Sequence, residues 1–227
     1  MNAVVPLYLA SASPRRRELL GRLGVPFEVV AAPVDEETLA AEHAHAVLHL
    51  AEHLARAKAA AALGMVRVDS AAPVRVIAGD TTVLLEGYSL GKPRDAGHAL
   101  ALLQALRARG HVVVTALAVA SGGTDIEPLV LRSCAVRTRV TMRDYTDAEV
   151  AAYIASGDPF DKAGAYAIQH DGFHPVDGIS GCHPNVVGLP ICAAAALLGV
   201  RPPATADRAQ VCPWSAQCRT PLPKLAM

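Results

Sequence analysis

An α/β fold with a mixed, twisted sheet flanked by helices is what this sequence of 227 residues predicts. Three observations carry the prediction. Apolar runs of strand length alternate with stretches of helical spacing. The chain opens on a strand–helix–strand pattern, and two short runs fold back across Glu86-Gly87 as a hairpin.

Each element has a local reason. Leu7–Ala10 suits a buried strand; Ser13 is a good helix N-cap, and Pro14 fits the first helical position, where no N–H is needed. Glu18, Leu19, Leu20 and Leu23 continue an amphipathic helix that Gly24 can close in a left-handed cap. Phe27–Ala31 is the next strand. Asp35 to Leu63 is Ala-rich and helical, in two pieces. "VRVIAGD" reads as a buried strand ending in a loop, so that Asp80 emerges at the strand's C-terminal edge, where open α/β sheets bind ligands. "TVLLEGYSLGKP" supplies the hairpin. Asp95 to Arg109 has helical spacing, with Leu100, Leu103 and Leu106 on one side. "HVVVTALAVAS" and "PLVLRSCAVRTRVTM" are long strands separated by the turn Gly122-Gly123-Thr124-Asp125. Thr146-x-x-Glu149 is a capping box opening a helix through Ile154. Beyond Gly157 the chain is irregular until "NVVGLPICAAAALLG" leads into a last helix. Residues 1–200 form the folded domain, in one or two lobes around a central cleft, and residues 201–227 a Pro-rich tail.

Composition narrows the function classes. Lys+Arg and Asp+Glu both total 21, so the formal net charge is zero, against the basic excess of a whole-surface nucleic-acid binder. Five cysteines without a Cys-x-x-Cys pair read as free thiols of a reducing compartment. Cys212 and Cys218 are the only two close in sequence, compatible with filler, a metal clip or a disulfide. No stretch approaches the ~20 apolar residues of a membrane span. The N-terminal apolar run precedes its basic residues, the reverse of a secretory signal. The cytoplasm is the compartment these features imply.

"SASPRRRELLG" poses the functional question. Arginines in a first helical turn face the positive end of the macrodipole, at a few tenths of a kcal/mol each. An anion reverses that sign, because free N–H groups and guanidinium forks converge on it. Elsewhere the chain offers the acids Asp35-Glu36-Glu37 and Asp80 and the cations Lys58, Lys92 and Lys162. Viewed alone, each suits a helix end or a solvated loop. Taken together they suit a polyphosphate: cations neutralise the phosphates while acids hold a divalent metal and activate water.

The motifs Ser11-Ala12-Ser13-Pro14-Arg15-Arg16, Val34-Asp35-Glu36, Ala57-Lys58-Ala59, Gly79-Asp80-Thr81, Gly91-Lys92-Pro93, Asp161-Lys162-Ala163-Gly164-Ala165-Tyr166, Ile168-Gln169 and Val186-Val187-Gly188-Leu189-Pro190 resemble, in order, those of Maf proteins. These are nucleoside triphosphate pyrophosphatases also described as septum-formation inhibitors. The resemblance runs from Leu7 to Leu198. It implies an inosine-triphosphatase-like fold, a homodimer, and cleavage of a nucleoside triphosphate to monophosphate and pyrophosphate with Mg²⁺ or Mn²⁺. Carried over, Asp80 is the general base or a metal ligand that positions water, and Glu36 helps hold the metal. Ser11, Arg15, Lys58 and Lys92 contact phosphates, and Lys162 organises its loop or binds phosphate. Arg15, Thr81 and Gln169 match the branch acting on dTTP and UTP. An amide at Gln169 offers one donor and one acceptor, as the N3–H and O4 edge of uracil or thymine requires. The chain departs from the family at Ala78-Gly79, at Ala167 where relatives carry glycine, and at Gly181-Cys182-His183-Pro184-Asn185. Were the backbone at 167 to take positive φ, the alanine would be strained.

Two other classes remain in view. "HLAEH" fits an inverted zinc-peptidase pattern, with His49 and His53 on one helical face, Glu52 as base and His45 a turn away. A non-enzymatic regulator of cell division would keep its biological effect after Asp80→Ala.

Overall fold

The computed structural model describes residues 5–43, 46–47, 49–68, 73–122, 130–200 and 212–213. The opening unit forms as its sequence predicts: strand β1 (Leu7–Ala10), helix α1 (Pro14–Gly21) and strand β2 (Glu28–Val30). Ser13 caps α1 by accepting the Arg16 N–H at 3.4 Å. The helix ends three residues before Gly24, which takes its left-handed turn (φ 67°) beyond the last helical residue.

Asp35 caps α2 (Glu36–Glu42), and the long α3 (Leu50–Val68) follows. Strand β3 (Val74–Leu85) turns through Glu86 and Gly87, both at positive φ, into β4 (Tyr88–Leu90). Two left-handed residues in succession give the twist a tight hairpin needs. Helix α4 (Ala96–Leu106) precedes the long strands β5 (Gly110–Gly122) and β6 (Val130–Met142). Helix α5 (Asp147–Ala155) begins at the complete Thr146/Glu149 capping box. Two 3-10 turns (Asp158–Asp161 and Ala163–Ala165), strand β7 (Val176–Ser180), α6 (His183–Val187) and α7 (Ile191–Leu198) complete the domain.

The seven strands form one mixed sheet in the order β2-β1-β3-β5-β6-β7, with β4 paired to β3. β1 runs parallel to both its neighbours, and every other pairing is antiparallel. Alternation along the strands divides the core. On one face Ala51, Ala55, Ala59 and Ala62 of α3 pack on Ala78, Ala116, Ala118 and Ala120 of the sheet. Small side chains on both sides let the helix lie close to the strands. On the other face α1 and α7 cover one end, while α4 and α5 cover the other through Leu102, Leu103, Leu106, Val150 and Tyr153.

Three details differ from the sequence reading. Leu102, rather than Leu100, joins Leu103 and Leu106 in the core, and Leu100 is exposed. The segment after Gly157 contains β7, which pairs with β6 at the sheet edge. Asp80 is not at a strand end: β3 continues through it for five more residues, to Leu85. What ends there is β1, whose last pair with β3 is Ala10 to Ala78. The carboxylate therefore lies just past the C-terminal end of β1, so the polar residues of β3 face a gap that the neighbouring strand leaves open.

Candidate active site

The gap beside β3 is lined from three directions. Asp80 points to the α3 face of the sheet, where Lys58 Nζ donates to Asp80 Oδ1 at 2.7 Å. The same ammonium lies 2.9 Å from Glu36 Oε1 at the N-terminal end of α2. Lys58 and Asp80 are buried, whereas half of the Glu36 side chain is open to solvent. Burial raises the Glu36 pKa, but the hydrogen bond and charge of Lys58, with the charges of Lys92 and Arg16, outweigh it and hold the carboxyl below its usual range. Lys92 follows β4 and is exposed; its loop is tied down by the Gly164 N–H, which donates to the Gly91 carbonyl at 3.0 Å.

Thr81 points the other way, and there Arg16 enters from α1. Its Nε donates to the Gly188 carbonyl at 2.9 Å, one Nη to Thr81 Oγ1 at 3.1 Å and the other to Ser11 Oγ at 3.4 Å. Burial and Arg15 lower the Arg16 pKa, and Asp80 and Glu36 oppose that shift. An arginine nonetheless stays cationic at any ordinary pH. Gly79 lets β3 lie close to β5 beside it: a Cβ there would stand 2.9 Å from Leu117 Cδ2 and 3.3 Å from the Ala116 carbonyl, with Arg16 Nε at an ordinary 3.5 Å. Thr81 also shares a 2.9 Å hydrogen bond with Thr115, which is held by the fully buried Asn185. Asn185 Oδ1 accepts the Thr115 N–H at 2.9 Å, and Nδ2 donates to Val113 O and Thr138 Oγ1 at 3.1 and 2.9 Å. Sequence reading singled out Arg15 and passed over Arg16 and Asn185. The basic run marks the turn but does not say which arginine faces inward.

The third wall is the 158–170 segment. Lys162 is buried and donates to Asp158 Oδ1 at 2.9 Å and Asp161 Oδ1 at 2.6 Å. Arg15 donates to the other Asp161 oxygen at 3.2 Å. Gln169 is exposed and makes no side-chain hydrogen bond to another described residue. Ala167 is free of the strain a positive φ would bring; Ala165 is the alanine of that loop held in the left-handed region, at φ 59°.

The structure thus brings Glu36, Lys58, Asp80, Lys92 and Arg16 into one electrostatic group, with Ser11 and Thr81 attached through Arg16. Arg15 and Lys162 form a second group around Asp161, coupled to the first through the Arg15–Arg16 repulsion. Two carboxylates meeting at one ammonium are a hard, oxygen-only donor pair. That pair suits a Mg²⁺-type ion completing its shell with phosphate oxygens and water. Among the described residues no cluster of three or more His, Cys, Asp or Glu suits a metal.

The zinc-peptidase pattern does not assemble. Glu52 accepts from Ser133 Oγ at 2.6 Å, and its other oxygen lies 4.0 Å from His49 Nδ1. The His53 ring packs on His43 with centroids 4.1 Å apart. His45 and Cys218 lie outside the described residues; Cys212 is buried against the α1/α7 core. No helix among the described residues is long and apolar enough to cross a membrane.

The chain is 45% identical over 199 residues to the dTTP/UTP pyrophosphatase of Burkholderia thailandensis, spanning 85% of this chain and 91% of that protein. It is 43% identical over 193 residues to the dTTP/UTP pyrophosphatase of Escherichia coli O157:H7, with 85% and 91% covered. With the Myxococcus xanthus dTTP/UTP pyrophosphatase it shares 49% identity over 193 residues, with 85% and 90% covered. The sequence profile of the Maf-like protein family matches residues 6–200, from β1 to just past α7. The chain therefore belongs to the Maf family.

Proposed function

We propose that this protein is a nucleoside triphosphate pyrophosphatase that hydrolyses dTTP and UTP to the monophosphate and pyrophosphate. The observation that carries the reading is Lys58 Nζ held between Asp80 and Glu36, at 2.7 and 2.9 Å, beside the Arg16 guanidinium. Cations and carboxylates in one basin suit a triphosphate and a divalent ion, as they do not suit a neutral ligand.

Each residue has a role in that reaction. Water adds across the α,β-phosphoanhydride: its oxygen bonds to phosphorus, the bridging P–O bond breaks, and pyrophosphate leaves. Asp80 accepts the water's proton, acting as general base, or orients that water as a metal ligand. Lys58, Lys92, Arg15 and Ser11 bind the phosphate oxygens, and Arg16 fixes Ser11 and Thr81 in place. Lys162 holds its loop through Asp158 and Asp161 and meets phosphate when Asp161 yields. Gln169 pairs with the pyrimidine edge; a purine leaves its polar groups unmatched. Glu36 and Asp80 would hold Mg²⁺ or Mn²⁺, which when bound neutralises phosphate charge and polarises the anhydride. In this reading residues 1–200 are the catalytic domain, with 201–227 outside it, and the protein works as a cytoplasmic homodimer.

The test is product analysis. Purified protein with Mg²⁺ and a panel of nucleotides releases pyrophosphate plus UMP or TMP. Orthophosphate alone, or cleavage of peptides that His49→Ala abolishes, overturns the reading.

A further inference from the structure

The loop that carries Lys162 and leads to Gln169 contains two consecutive residues in the left-handed region, Gly164 at φ 71° and Ala165 at φ 59°. A non-glycine residue stays there only where its surroundings over-determine it. Gly164 is held by its N–H to the Gly91 carbonyl and by Val83, and the two ends of the loop are joined from α5. The Tyr153 hydroxyl donates to Asp158 Oδ2 at 2.7 Å and accepts the Ala167 N–H at 3.0 Å. One oxygen atom thereby ties the start of the loop to its end. Its two partners lie next to the two functional positions. Asp158 also accepts from Lys162 Nζ at 2.9 Å, and Ala167 stands two residues before Gln169.

The ring is as firmly placed as the hydroxyl. Tyr153 is 2% exposed; it stacks on Phe173 with centroids 4.5 Å apart and meets the edge of His170 at 4.7 Å. Burial, and then the hydrogen bond and charge of Asp158, raise its pKa, so the phenol stays protonated and keeps donating.

Resting on the activity proposed above, we infer that Tyr153 is a positioning residue that sets the phosphate-side Lys162 and the base-side Gln169 together, coupling triphosphate capture to pyrimidine choice. It touches no substrate. Its effect passes through Asp158 on one side and the Ala167 amide on the other. Losing the hydroxyl frees both ends of the loop at once, so substrate affinity and base selectivity fall together while the turnover step at Asp80 is left intact.

Tyr153→Phe tests this against Tyr145→Phe, a matched control. Tyr145 lies in the same core cluster and loses one buried hydrogen bond, 2.6 Å to the Leu103 carbonyl, that holds no part of the loop. For Tyr153→Phe, KM for UTP and dTTP rises about tenfold and the UTP-over-GTP ratio of kcat/KM falls about as much, with kcat for UTP within twofold of wild type. Amide hydrogen exchange over 158–170 accelerates about tenfold. Tyr145→Phe loses a similar amount of thermal stability with KM, selectivity and loop exchange unchanged. The inference is overturned if the two variants share one selectivity and one loop-exchange profile. If the wild type releases no pyrophosphate from any nucleotide, the functional reading falls instead; unchanged exchange over 158–170 in Tyr153→Phe then still overturns the clamp.

Discussion

Asp80 and Thr81 are neighbours in one strand, yet they serve opposite regions of the molecule. The pleat turns Asp80 toward α3, where it meets a charged partner set: a buried lysine, a half-exposed glutamate and an exposed lysine nearby. It turns Thr81 toward a closed network in which Arg16, Thr115, Asn185 and Thr138 satisfy one another. On the first side the charges border on solvent at Glu36; on the second, Thr81, Thr115 and both ends of the Asn185 amide are hydrogen-bonded. The difference teaches that, in the proposed reaction, one three-residue motif supplies both the reactive carboxylate and the frame that aims it. Gly79, the third member, has no side chain because Leu117 and the Ala116 carbonyl of β5 occupy that space.

The largest effect comes from breaking the reactive side. Asp80→Asn keeps size and an acceptor oxygen for Lys58 but no longer takes a proton, and kcat falls by about 10²–10⁴-fold in a pyrophosphate-release assay. Thermal unfolding changes little, since Lys58 retains Glu36 and the amide oxygen. The mirror experiment breaks the frame. Asn185→Ala strands the Thr115 N–H and the Val113 carbonyl in the core, costing about 2–3 kcal/mol in urea unfolding. Activity of the fraction still folded is reduced far less than in Asp80→Asn. A comparable loss of kcat in the two variants would erase the distinction between the sides.

A smaller change sharpens the boundary between them. Gly79→Ala drives a methyl group against Leu117 and toward Arg16, for about 1–2 kcal/mol of overpacking. Arg16 Nε would stand at an ordinary contact distance of 3.5 Å from that methyl, so stability falls while KM of the folded protein is unchanged. A raised KM would show that the strain reaches Arg16.

Much of this was legible in the sequence, for physical reasons that also explain what was not. Periodicity exposed α4, and the Thr146/Glu149 box, which exposed α5, appears as a complete cap because its signal is local. The hairpin at Glu86-Gly87 is equally local. β7 escaped because Val176–Ser180 is an edge strand whose pairing with β6, not its own alternation, makes it a strand. Asp80 was misplaced for a related reason. A polar Asp-Thr pair interrupts an apolar run and looks like its end, yet β5 pairs with β3 straight through those residues. The site itself divides in the same way. Lys58, Glu36 and Asp80 could be named from their chemistry, but their convergence depends on where β1 stops, a tertiary fact. Arg16, Asn185 and Tyr153 carry no local mark: the first two are defined by partners distant in sequence, as Arg16 is by Thr81, and the third by a hydroxyl contact that an aromatic residue does not advertise.

The smallest effect concerns Glu36, where the reactive side borders on solvent. Its folded pKa lies below its unfolded value, held there by Lys58, Lys92 and Arg16 against its own burial. A carboxyl shifted in that direction stabilises the fold above its unfolded pKa of about 4.5 and loses that contribution as pH drops through the lower folded value. With 48% of its side chain exposed, solvent screens the pair, so the contribution is no more than ~0.5 kcal/mol. Glu36→Gln therefore unfolds within ~0.5 kcal/mol of wild type at pH 7, and the gap closes further near pH 3, where both proteins carry an uncharged group at this position. Urea titrations at the two pH values measure it. A loss of 2 kcal/mol or more at pH 7 would mean that Glu36 belongs to the frame, and that the two sides of β3 are not separate in the way the Asp80–Thr81 division requires.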